Sequence, residues 1–114
     1  MKYVYPAVFY RANEGGYCIT FPDVAGAITQ ADDIFTALEM AEDALAGMLV
    51  CWEDFKAGKS KLPMENRIVA PTPIEEVVAE PDEYSTSAFV TLIKADTDAY
   101  RKMLAEQAKN KESA

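Results

Sequence analysis

The run from Gly15 to Gln30, GGYCITFPDVAGAITQ, leaves the chain few choices, because turn, strand, turn and strand follow one another with almost no spacer. Asn13-Glu14-Gly15-Gly16 offers the positive-φ residues that a tight hairpin turn needs. Tyr17 to Phe21 is rich in β-branched and aromatic residues and reads as a strand, with Tyr17, Ile19 and Phe21 on one face and Cys18 and Thr20 on the other. Pro22 stops it, since proline has no N–H for a ladder. Pro22 to Gly26 is then a connection, turned at Gly26, before a second short strand over Ala27 to Gln30.

Upstream of the turn, Tyr3 to Tyr10 alternates two apolar sets, Tyr3, Tyr5, Ala7, Phe9 and Val4, Val8, Tyr10, which predicts a central or dimer-facing strand covered on both faces. Pro6 must sit where its missing N–H faces away from a neighbour, or at a bulge. Downstream, Asp33 stands as the N-cap of a long helix, because its carboxylate can accept from N–H groups two or three residues on. At about 100° per residue, Ile34, Ala37, Leu38, Ala41, Leu45, Met48, Leu49, Trp52 and Phe55 share one sector, opposite Glu39, Asp43, Glu53 and Asp54. The large residues of that sector, from Leu38 to Phe55, are the expected core, and Phe35 and Val50 project on the acidic side. Gly58 supplies a C-terminal stop, with Lys56, Lys59 and Lys61 complementing the helix dipole.

Leu62 to Ala70 has no decisive pattern, and Pro71 to Val78 reads either as an extended segment or as a single turn opened by its proline. Glu75, Glu76, Glu80, Asp82 and Glu83 make the next stretch the most negative of the chain, a solvated loop and a candidate contact for a basic partner. Ala88 to Lys94 is apolar on both faces, which predicts an interior strand beside the first one. Asp96 caps a final helix from Thr97 to about Lys109. The elements together predict an α+β fold, a three- to four-stranded, mainly antiparallel sheet packed by one long helix, plus a C-terminal helix.

A chain of 114 residues is enough for one domain. Its net charge of −8, with no histidine, disfavours independent nucleic-acid binding and speeds encounter with a basic partner. Cys18 and Cys51 match no metal-ligand spacing and are expected to be free, buried thiols. No apolar run reaches signal-peptide length near Met1 and none is long enough to span a membrane, so a cytoplasmic location is expected.

Catalysis would have to use carboxylates, because there is no histidine, nucleophile elbow or phosphate loop. Asp23, Asp32, Asp33, Glu39 and Asp43 leave open a divalent-metal nuclease site. Against it, Asp33 already caps a helix and Glu39 and Asp43 are an i, i+4 pair on a solvated face. No catalytic residue, metal or cofactor is therefore expected, and Gly15, Gly16 and Gly26 are turn residues rather than a phosphate cradle.

Tyr5-Pro6-Ala7-Val8-Phe9, Gly15-Gly16-Tyr17, Phe21-Pro22-Asp23, Gly26, Thr29-Gln30, Asp32 and Ala37 to Leu45, followed by Val90 to Arg101, together resemble the HicB antitoxins in order and spacing. The resemblance implies a partial RNase H-like fold without nuclease activity, with residues 1–96 as the HicB-like domain and 97–114 as a C-terminal helix or tail. It implies neutralisation of a short basic HicA toxin, an mRNA-cleaving protein of double-stranded-RNA-binding shape, by direct binding. The sheet edge near Phe21, Pro22 and Asp23 and the acids from Glu75 to Glu83 are the expected contacts, in a homodimer or higher oligomer.

Two features depart from the family pattern. Only Met103 to Ala114 follows the segment matching Tyr100-Arg101-Lys102, where many members continue into a DNA-binding module, and this puts promoter binding through this chain in doubt. Phe35-Thr36 replaces the acids common in that first helical turn. Beside the antitoxin reading stand a small metal-dependent nuclease and an orphan interaction module.

Overall fold

A computed structural model describes residues 1–61, 63–64 and 67–112. Strands β1 (Lys2–Ala12), β2 (Tyr17–Thr20) and β3 (Ile28–Ala31) lead into helix α1 (Ile34–Lys56). A 3₁₀ turn, Ile74–Glu76, strand β4 (Ser85–Asp96) and helix α2 (Thr97–Glu112) complete the chain. The four strands form one antiparallel sheet in the order β3-β2-β1-β4. Leu62 lies outside the described residues.

The β1–β2 turn is built as its glycines predict. Gly15 and Gly16 have φ of 97° and 80°, and Gly26 in the β2–β3 connection has 95°. Gly16 is the most constrained, because a Cβ there would sit 2.9 Å from the Ala31 carbonyl oxygen, against the backbone that follows β3. Gly16→Ala is expected to cost about 1 to 3 kcal/mol, read as a lowered urea midpoint with an unchanged slope. A midpoint equal to wild type would show that the turn adapts.

β1 is central, paired to β4 along its whole length and to β2 only from Val8 to Arg11. Pro6 is therefore paired on one side only, opposite Leu92, because β2 has already ended. Tyr5, Ala7 and Phe9 face α1 and join its core, whereas Pro6 and Val8 point to the other face and are buried all the same. Their cover is the connection from α1 to β4. It is bonded at Thr72 to Asp23 beyond one end of β2, packs its 3₁₀ turn against β4, and meets Asn13 at the opposite end through the Glu83 and Tyr84 carbonyls.

β4 was expected to be interior and is instead the outer strand. Apolar residues on both faces report what lies above and below a strand, not what lies beside it. Ile93 and Ala95 are buried in the α1-side core, while Val90 and Leu92 belong to the other face.

Asp33 caps α1 as expected, accepting from the Thr36 N–H at 2.8 Å, and this bond holds its carboxyl below the usual aspartate range. Gly58 follows the helix with φ 75°. The sheet-facing stripe differs from the expected one. Ala37, Ala41, Leu45 and Leu49 are fully buried, Met48, Trp52 and Phe55 are partly so, and Ile34 and Leu38 remain exposed. The small Ala37 and Ala41 side chains let the helix approach the sheet near β3, a four-residue strand too short to cover Leu38. Phe35 stays exposed, as expected. Lys56 stacks over the Trp52 ring at 4.2 Å.

Val50, expected on the solvated side, is buried, because α2 packs on that face of α1. Gly47 makes the approach possible, since a Cβ at this position would lie 3.3 Å from the Tyr100 hydroxyl. Asp96 caps α2 by accepting from the N–H groups of Asp98 and Ala99. Both cysteines are free, but neither is buried: Cys18 is half-buried on the sheet face away from α1, and Cys51 is exposed.

Candidate partner-binding surface

The connection between α1 and β4 is held by one carboxylate. Asp23 accepts from the Thr72 N–H at 2.8 Å and from the Thr72 hydroxyl at 2.7 Å, one bond to each oxygen. The Asp23 carbonyl accepts from Val69 N–H, Ala25 N–H donates to the Arg67 carbonyl, Val24 pairs with Ile68, and the Tyr5 hydroxyl donates to the Val69 carbonyl. The β2–β3 connection is thereby stitched to the chain that leaves for β4. Asp23→Ala strands a backbone donor and a hydroxyl, and is expected to cost about 1 to 3 kcal/mol in a urea titration, with faster amide exchange at the non-proline residues from Ile74 to Tyr84. Unchanged exchange there would remove Asp23 as the anchor.

Beyond Thr72 the connection is a strap with a mixed surface. Glu75, Glu76, Glu80, Asp82 and Glu83 are all exposed, and so are Ile74, Val78 and Tyr84 between them. Among the described residues none of these five carboxylates pairs with a Lys or Arg. Asp82 has a local task as well, accepting from the Tyr84 N–H and the Ser85 hydroxyl to shape the turn into β4. Exposed carboxylates thus alternate along the strap with exposed apolar side chains.

The expected contacts at Phe21, Pro22 and Asp23 divide accordingly. Pro22 is exposed beside the strap, but the Phe21 ring is buried in the core and Asp23 is buried on Thr72. The correction has a plain cause: β2 ends at Thr20, so Phe21 and Asp23 turn inward to close the end of the core rather than lining an edge. Asp23 joins the turn and the acidic segment without itself reaching solvent.

A second polar centre lies where α1, α2 and β1 meet. The Glu53 carboxylate accepts from the Tyr3 hydroxyl at 2.7 Å, the Thr97 hydroxyl at 3.0 Å and Arg101 Nη2 at 3.1 Å, and Arg101 also reaches Asp54 at 3.0 Å. Burial pushes the Glu53 carboxyl up, but the bonds from Tyr3, Arg101 and Thr97 outweigh it and hold the group below the usual glutamate range. Tyr3 is pushed up to about 12, by burial first and then by its bond to Glu53. Periodicity placed Glu53 and Asp54 on a solvated face. The signal missed was the second small apolar stripe, Ala46 and Val50 leading to Glu53, which marks a docking face for α2.

Among the described residues no three Asp, Glu, Cys or His side chains come close enough to share a metal ion. No helix of the described residues is long and apolar enough to cross a membrane.

Residues 5–108 match the profile of the HicB_like antitoxin of bacterial toxin-antitoxin systems. The chain belongs to this family. The HicB-like chain is 40% identical over 60 residues to Antitoxin HicB 1 of Photorhabdus laumondii, a stretch covering 53% of this chain and 37% of that one. It is 44% identical over 41 residues to Antitoxin HicB of Escherichia coli K12, covering 36% of this chain and 30% of the relative. The matches thus span only 37% and 30% of these relatives' own length.

Its fold is similar to a chain of a toxin-antitoxin complex from Streptococcus pneumoniae, with TM-score 0.60 and 22% identity over 88% of this chain and 73% of that chain. It is also similar to the N-terminal domain of Burkholderia pseudomallei antitoxin HicB, with TM-score 0.57 and 20% identity over 82% of this chain and 99% of that domain.

Proposed function

We propose that this HicB-like chain neutralises a basic, mRNA-cleaving toxin of the HicA type by binding it directly and covering its RNA-binding surface. The observation that carries the reading is the strap, five exposed carboxylates interleaved with exposed Ile74, Val78 and Tyr84. Against an RNA-binding surface, which is basic because it must meet phosphate, such a strap offers complementary charge for steering and apolar side chains for contact. In this reading the antiparallel sheet and α1 are a partial RNase H-like scaffold used for protein binding, and the chain performs no catalytic step.

The experiment is co-expression with the toxin encoded beside the gene. Growth is expected to recover, and the purified pair is expected to co-elute and to leave labelled mRNA intact. Failure both to bind and to restore growth would sink the proposal.

A further inference from the structure

An otherwise acidic chain gathers Lys56, Lys59, Lys61 and Arg67 into one short stretch in which the only acid is Glu65, which lies outside the described residues. The helix dipole accounts for Lys56, in the last turn of α1, but it fades beyond that turn and leaves Lys59, Lys61 and Arg67 without a task. All four cations are exposed, and among the described residues none of them pairs with a carboxylate.

The fold draws these cations around one ring. Met48, Trp52 and Lys56 follow one another at four-residue spacing on one face of α1, and Lys56 Nζ stands 4.2 Å from the centroid of the Trp52 ring. Arg67 arrives at the same face from the connection, since a Cβ on Gly26 would lie 3.1 Å from Met48 Cε and 3.7 Å from Arg67 Nη1. Lys59 is held beside the last turn by its N–H bond to the Asp54 carbonyl at 2.8 Å. The nearby acids are turned elsewhere. Glu53 and Asp54 are bound to Arg101 on the α2 side of the helix, and the strap, with its 3₁₀ turn of Glu75 and Glu76 against β4, crosses the sheet face away from α1. Trp52 is half-buried against the core, and the exposed, flexible Lys56 side chain covers the ring face that remains.

We propose that this basic end of α1 binds single-stranded nucleic acid, with a base taking the place of Lys56 on the Trp52 ring and phosphates on Lys59, Lys61, Arg67 and the displaced Lys56. A membrane surface would need apolar side chains that protrude, whereas Trp52 and Phe55 pack against the core. An acidic peptide would use the cations and leave the ring idle. An aromatic face beside Arg and Lys suits a single strand, whose bases stack while its backbone is neutralised. The net charge of −8 disfavours binding by the chain as a whole, but exposed charges more than about 10 Å away are largely screened at ordinary salt. The contact is therefore local, modest in strength and steeply salt-dependent. It concerns the chain alone and stands whether or not the strap binds a toxin.

Trp52 is the only tryptophan, so its fluorescence reads the contact directly. Titrating the full chain at low salt with a single-stranded oligonucleotide of about twelve nucleotides is expected to quench that fluorescence with a Kd of about 10 to 100 µM. With four cations engaged, affinity is expected to fall about 600-fold for each tenfold rise in salt. Lys59→Glu, Lys61→Glu and Arg67→Glu together, or the glutamine versions should charge reversal disturb the loop, are expected to weaken binding at least about thirtyfold with circular dichroism unchanged. Lys2→Glu, Lys94→Glu and Lys102→Glu, an equal change of net charge at exposed positions away from the ring, are expected to weaken it less than about threefold.

An oligomer of the same length without bases is expected to bind and leave the fluorescence unchanged. Absence of quenching at low salt, equal losses in the two triple variants, or quenching by the abasic oligomer overturns the proposal. Equal quenching by polyglutamate or by phosphatidylglycerol vesicles also overturns it, and would assign this end to an acidic protein or to a membrane surface instead.

Discussion

Glu53→Ala lowers the stability of the fold by about 3 kcal/mol, the scale expected when a largely buried carboxylate with several charge-assisted partners is removed and those partners are left behind. Thr97 is fully buried and is left with the Met1 carbonyl as its acceptor, Tyr3 loses a 2.7 Å bond, and Arg101 keeps Asp54 and the Val50 carbonyl. The same residue sets how stability responds to acid. The Glu53 carboxyl lies below its unfolded value in the native state, so its contribution is present above the unfolded value and is lost as pH falls through the folded one.

Tyr3 acts at the other end of the scale. Its folded value is raised to about 12 from 10.0, so its contribution is complete below pH 10 and disappears as pH rises toward 12. Urea titrations across both windows check this, and in Glu53→Ala the acid slope is expected to flatten while the Tyr3 titration, followed in the ultraviolet, moves down. A loss of less than about 1 kcal/mol, within the range of an exposed pair, would show that α2 docks without the Glu53 centre.

On the proposed reading of the strap as the contact for a basic toxin, reversing it with Glu75→Lys, Glu76→Lys and Glu80→Lys together is expected to weaken that binding about a hundredfold. Like charges brought face to face cost several kcal/mol in total, and steering is lost as well. These positions are exposed and unpaired with any Lys or Arg among the described residues, so circular dichroism and the urea midpoint are expected to stay at wild-type values. The association rate of the wild-type pair should fall steeply with salt, and that of the reversed variant should not. Equal affinity in both would move the contact away from the strap while leaving neutralisation itself intact, since that is read separately by growth.

Much of the local structure was legible because single residue types carry it. Gly15 and Gly16 turn the hairpin, Pro22 ends β2, Asp33 caps α1, and Asp96 caps α2, each through a bond or a dihedral angle that involves only near neighbours. The edge position of β4, the burial of Val50 and the role of Glu53 were not legible. Each depends on which element arrives from far along the chain, and hydrophobic period records only that a face is covered.

The strap shows the same division. Its acids could be read off the sequence as a charged loop, but its course across the sheet could not, because that course depends on the Asp23–Thr72 contact between residues 49 positions apart.

The Gly15 to Gln30 run determined the hairpin, the turn after it and the hand-over to a capped helix, since steric limits on φ and the missing N–H of proline act within a few residues. Tertiary structure alone decided that Phe21 closes a core, that Asp23 binds the strap and that Glu53 gathers two helices and a strand. Burial and long-range hydrogen bonds come into being only when distant segments meet, and the free energy of a polar group depends on what it meets there.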